Sequence, residues 1–218
     1  MKRMVGSFLV LFLGIFAAGC APATHRVLVD GYTGSAAPAE ITPGGSFFVI
    51  ENKEAKNPLL EKEIRGKINQ LLQNQGYELA PFEKADYYLF YSYGIGPGQS
   101  VTTVMPDFGW GFGFGTGYPF GYSLLWPGFA PYSSYRETIY DKWLLINVIA
   151  GKPYREKGKF NTLWVGEARA RGPSMDLRTV VNYLLLADFH EFGKNTGKGA
   201  RVEIREDDLR LKKLETIH

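Results

Sequence analysis

The chain has a single cysteine, so no internal disulfide can form and whatever core it builds must hold by packing alone. That cysteine, Cys20, follows directly on a short apolar segment headed by two cations. Lys2 and Arg3 make a positive n-region, Val5 to Phe16 an apolar h-region, and Ala17-Ala18-Gly19 supply the small residues that a signal peptidase needs. The uncharged run from Met4 to Gly19 is 16 residues, short of the roughly 20 that a spanning helix requires. Residues 1–19 therefore read as a removable leader and Cys20 as a lipid attachment point.

The residues before Cys20 resemble the bacterial lipobox, usually Leu-Ala-Gly-Cys, with Ala17 in place of the leucine. The resemblance implies a diacylglyceryl thioether on Cys20 and an acylated amine, with chains such as palmitate. Several chains hold a protein on a bilayer far more firmly than one. Ala21 after the cysteine, rather than an aspartate, implies by the same resemblance an outer-membrane lipoprotein facing the periplasm if the source is Gram-negative. Residues 20–25 then serve as a lipidated tether.

Without the leader, 199 residues remain, enough for one domain with its own core. The remaining chain holds 23 Lys and Arg against 22 acids, a formal charge of +1. A global basic field is missing, which argues against nucleic acid as a partner.

Charge is unevenly spread. Between Asp86 and Arg136 the only acid or base is Asp107. The first part of that stretch, Tyr87 to Tyr93, is dense in aromatics and reads as a buried strand closed by Gly94, Gly96, Pro97 and Gly98. The second, Phe108 to Tyr135, holds 11 aromatics, seven glycines and three prolines, which argues against a membrane helix. In Phe108-Gly109-Trp110-Gly111-Phe112-Gly113-Phe114-Gly115 aromatics and glycines alternate, so an extended form places four rings on one face. With Tyr118 and Trp126 these rings form the candidate contact set, and four readings compete. They could dock a partner protein, dip into the lipid headgroups, stack on cell-wall sugars, or belong to a glycine-rich loop collapsed on its own domain.

Elsewhere Arg26–Asp30, Phe47–Ile50, Trp143–Ala150 and Leu163–Ala170 read as strands, and Arg201–Arg205 as a short further one. Asn57-Pro58 opens a helix that puts Leu60, Ile64, Ile68, Leu71 and Leu72 on one face and leaves Glu61, Lys62, Arg65 and Gln73 mainly outside it, before Gly76 ends it. Ser174 offers the cap of a second helix carrying Leu177, Val180, Val181, Leu184 and Leu185. Residues 151–161 read as a charged flexible connection and 206–218 as a solvated or weakly helical tail. The expected fold is α/β (α+β): a single two-layer sandwich over residues 26–205, with a mixed or mainly antiparallel sheet of about five to seven strands, two main helices on it, and a Gly/aromatic insertion at 94–135.

The phrases Asn57-Pro58-Leu59, Gly76-Tyr77, Ala85-Asp86-Tyr87 and Leu163-Trp164-Val165-Gly166-Glu167-Ala168, in that order, resemble an uncharacterised family of bacterial envelope lipoproteins, domain of unknown function 4136. They span roughly residues 26 to 192. The resemblance implies a compact α/β sandwich on a lipid tether and supplies no catalytic residues. The long Gly/aromatic insertion and the charged tail after Phe192 depart from it.

Catalytic patterns mostly fail. Of the three histidines, only His190 falls inside an expected element, so a His-based zinc site is not indicated. Asp188, His190 and Glu191 read as polar residues on a solvated helix surface. Gly94-Ile95-Gly96-Pro97-Gly98 has Gln99 where a dinucleotide fingerprint needs glycine, and residues 193–198 lack the spacing of a phosphate loop. An envelope hydrolase would need Asp86, Glu137, Asp141 or Glu167 gathered around a pocket. The expectation is a non-enzymatic lipid-anchored envelope protein without cofactor or metal, acting by binding or structural association. Its partners would be the membrane, through the acyl chains on Cys20, and an envelope protein or cell-wall glycan.

Overall fold

The computed structural model describes residues 22–34, 41–106 and 132–217; the leader, Cys20 and the six candidate aromatic contacts lie outside them. Among the described residues are eight strands and four helices in a mixed α+β arrangement. The strands are β1 (Thr24–Thr33), β2 (Ser46–Val49), β3 (Glu78–Leu79), β4 (Tyr87–Ile95), β5 (Gln99–Pro106), β6 (Tyr132–Ala150), β7 (Thr162–Gly172) and β8 (Ala200–Arg205). The helices are α1 (Pro58–Asn74), α2 (Gly151–Lys157), α3 (Leu177–His190) and α4 (Leu209–Glu215).

Seven strands run β3-β2-β4-β6-β7-β1-β8, and β5 pairs with β6. Only the β2–β3 and β2–β4 pairs are parallel, so the sheet is mixed and mainly antiparallel. Eight strands exceed the five to seven expected, because Glu78–Leu79 forms β3 and the stretch after Gly98 forms β5; β6 also begins eleven residues before Trp143. Gly94 and Ile95 continue β4, and residues 99–106 and 132–135 of the expected insertion belong to the sheet. Strand β1 likewise begins at Thr24, inside the expected tether.

Side-chain alternation sorts the two faces. Val27 and Val29 of β1, Leu89 and Tyr91 of β4, Leu144, Ile146 and Val148 of β6, and Trp164 and Ala168 of β7 join the main core under α1 and α3. Tyr88 of β4 and Ile149 of β6 point the other way, into a second cluster with Phe48, Phe82, Phe90 and Tyr154. Helix α2 covers that second cluster. Residues 151–157, expected to be a flexible connection, are thus ordered, and Arg155 donates to the Tyr88 hydroxyl at 3.1 Å and to the Ala85 carbonyl.

Helix α1 follows its sequence signals. Asn57 caps it, accepting from the Leu60 amide at 3.1 Å, and Ile64, Ile68, Leu71 and Leu72 are buried. Glu61, expected outside that face, is buried as well, as are Glu63 and Lys67. Helix α3 is capped by Asp176, which accepts from the Thr179 amide at 3.2 Å; Ser174 instead accepts from the Asp176 amide. Residues Val181 to Phe189 of α3 are all buried, the pattern of a helix enclosed on every side. The sheet lies below it, with α1 and α4 beside it. The C-terminal segment, expected to be solvated or weakly helical, forms α4, whose Leu211 and Leu214 enter the main core.

Candidate interaction surface

Strands β4 and β5 both pair with the same long strand. Along β6, residues 142–150 face β4 and residues 132–139 face β5, while β7 pairs only with residues 140–149. Beyond Tyr140 the sheet thus narrows to a two-stranded ribbon of β5 and the first half of β6. Its eight register pairs extend about 24 Å at roughly 3.4 Å per residue. Exposure at Ser100, Thr102, Thr103, Ser134, Tyr135, Arg136 and Thr138 marks it as an arm rather than part of the core. Pro106 and Tyr132 are register partners at its free end, so residues 107–131 leave and return at the tip. The arm's β-rich composition, with Arg136 and Glu137 as its only charges, favours pairing but supplies little apolar burial.

Cys20, Phe108, Trp110, Phe112, Phe114, Tyr118 and Trp126 lie outside the described residues. The four acids of the hydrolase reading are not brought together. Asp86 accepts from the Ser46 hydroxyl at 2.6 Å, holding its carboxyl below the usual range. Glu137 sits on the arm, Asp141 lies 3.4 Å from Arg171, and Glu167 pairs with Arg169 at 2.6 Å. Measured along β6 they spread from position 137 to beside Ala150, about 43 Å at roughly 3.3 Å per residue. Among the described residues no group of three or more His, Cys, Asp or Glu side chains could hold a metal ion. No described helix is long and apolar enough to cross a membrane.

Two buried polar arrangements escaped sequence reasoning. Lys67 of α1 bonds Glu63 at 2.5 Å and Asn182 of α3 at 2.8 Å, and Arg178 of α3 reaches the other Glu63 oxygen at 2.8 Å. Burial alone would raise the Glu63 pKa, but the bonds from Arg178 and Lys67 outweigh it and hold the carboxyl ionised. This network ties the two main helices. Asp188, expected on a solvated surface, is fully buried against Gly166, and neither carboxylate oxygen has a hydrogen-bond partner. Burial pushes its pKa well above the usual carboxylate range, with a smaller push from Glu167.

Among the described residues, clefts open on the helix side and its margins. One of about 440 Å³ lies beside Glu61, Tyr91 and Tyr93, and the adjoining one of about 450 Å³ lies along Ile50–Glu54. Burial first, then bonding to Glu61, raises the pKa of both tyrosines, so they remain neutral hydroxyls. The third, about 500 Å³, sits between α1, α3 and α4 over Leu71, Leu186 and Phe189.

A family model described as "Domain of unknown function (DUF4136)" matches residues 36–191. No curated protein matches the chain. Among solved structures, it is similar to a PDZ domain protein from Parabacteroides distasonis ATCC 8503, at 13% identity and a TM-score of 0.47. That match covers 85% of this chain and 40% of the other, so the chain spans well under half the length of that protein. It is also similar to the PelC dodecamer from Paraburkholderia phytofirmans, at 12% identity and a TM-score of 0.40, covering 78% of this chain and 98% of the other.

Proposed function

The chain belongs to the family defined by that domain of unknown function, and from this premise we propose that it is a lipid-anchored protein of the bacterial cell envelope that works by binding rather than catalysis. In this reading Cys20 carries the acyl chains and the Gly/aromatic segment, with Phe108, Trp110, Phe112, Phe114, Tyr118 and Trp126, makes the contact. Helices α1, α3 and α4 over one face make a two-layer α/β sandwich for most of its extent, and the outer membrane is the expected site.

The observation that carries the reading is the arm. A two-stranded ribbon buries too little to be stable alone, so a chain that extends one beyond its sheet gains from a partner that covers it. The aromatic-rich sequence 107–131 joins Pro106 to Tyr132, the register partners at the arm's free end. With Arg136 and Glu137 as its only charges, the arm favours a protein contact over a highly charged partner.

Replacing residues 107–131 by a short Asn-Gly turn tests this. The variant should melt within a few degrees of the parent, because the segment joins two residues that are already paired. It should lose the partner adduct that chemical crosslinking of intact cells gives with the parent chain. An unchanged adduct pattern contradicts the site. For the anchor, labelled palmitate should enter the parent chain and not Cys20→Ala.

A further inference from the structure

Among the described residues, α2 covers the sheet face opposite α1 and α3 near Tyr88 and Phe90, and the part beyond carries a distinct set of side chains. In register, Trp143 of β6 stands between Gly94 of β4 and Arg169 of β7. A Cβ at Gly94 would lie 2.8 Å from Trp143 Cζ2 and 3.1 Å from its Nε1, so the indole rests over the strand in the place of a side chain. Trp143 as a residue is nevertheless 36% exposed.

Planar polar groups flank it on the same face. On one side Arg171 contacts Asp141 at 3.4 Å and donates to Gln99 at 2.8 Å. On the other Arg169 contacts Glu167 at 2.6 Å, with Asp30 at 4.0 Å. These pairs restrict long side chains before any ligand arrives, which lowers the ordering cost of binding. They also leave both guanidinium charges compensated, a poor setting for a phosphate, which calls for unpaired arginines.

We propose that this face binds a pyranose ring of a neutral oligo- or polysaccharide. The apolar C–H face of the ring stacks on Trp143, and its hydroxyls, each both donor and acceptor, meet guanidinium donors and carboxylate acceptors on either side. The site uses described residues alone and is independent of the lipid anchor and of the arm's tip.

Calorimetric titration of the full chain in detergent with cellohexaose and with chitohexaose tests it. At least one should bind. Trp143→Ala should weaken that binding roughly ten-fold or more, corresponding to loss of about 1.4 kcal/mol. Arg169→Gln, on an exposed side chain, should weaken it several-fold with an unchanged melting temperature. Leu59→Ala, at an 81% exposed position on α1, should bind as the parent does. No binding of either sugar at millimolar concentration, full affinity in Arg169→Gln or in a folded Trp143→Ala, or an equal loss of affinity in Leu59→Ala, each overturns the proposal.

Discussion

Asp188 occupies a place that its carboxyl does not suit. Both oxygens lack partners and Oδ1 lies against Gly166, so ionisation there is opposed by desolvation. A carboxyl whose folded-state pKa lies above its unfolded value of about 3.9 contributes stability that is fully present below that value and is lost as pH rises toward the folded one. Each unit of elevation corresponds to about 1.4 kcal/mol. Asp188→Asn should therefore gain on the parent chain as pH rises from 4 to 7.5, by about 1 kcal/mol or more in urea unfolding. Parallel curves would contradict this. Lys67 makes the complementary case, since its loss leaves Glu63 buried with Arg178 as remaining partner; Lys67→Met should cost about 3 kcal/mol in the same assay. Neither arrangement was legible in the sequence. Asp188 and Glu63 each follow ordinary polar spacing on a helix, and their burial is decided by what α3 and its neighbours cover.

At the scale of elements, legibility followed the strength of the periodic signal. Helix α1 carried a cap, a proline and an apolar stripe, and formed where these placed it. Strands β1, β2, β4, β7 and β8 likewise matched their alternation within a few residues. Strand β5 and the first half of β6 were missed because Gly and Pro bracket them and their exposed faces give no inward-outward contrast. Helix α4 was legible only as a solvated or weakly helical tail, because its seven residues include three cations, which mask the two leucines at i and i+3 that reach the core. That spacing was the available signal. Leu211→Ala should cost roughly 2–5 kcal/mol, the range for emptying a buried leucine, whereas Leu209→Ala, at a position 72% exposed, should change little. Equal effects in thermal unfolding would mean that α4 is not part of the core.

For the whole molecule, the sheet with helices α1, α3 and α4 over its main core supplies rigidity, and the arm extends away from it. Arm and helix-covered core use the same strand, β6, so the arm's direction is fixed by pairing that is already buried at its other half. The sequence announced an aromatic segment without charge but not its place, since register between residues 106 and 132 is a property of the folded hairpin. The Trp143 face was hidden for the same reason, because Gly94 and Arg169 meet Trp143 only through strand order. The proposed partner contact is made by the segment that joins the two strands at the tip of the arm. The most direct measurement is photo-crosslinking in intact cells from an unnatural residue placed at position 110 or 126, compared with position 84 beyond the opposite end of β4. Discrete protein adducts from 110 and 126 and none from 84 are the predicted result; adducts of equal yield from all three positions, or none from the arm's tip, would contradict it.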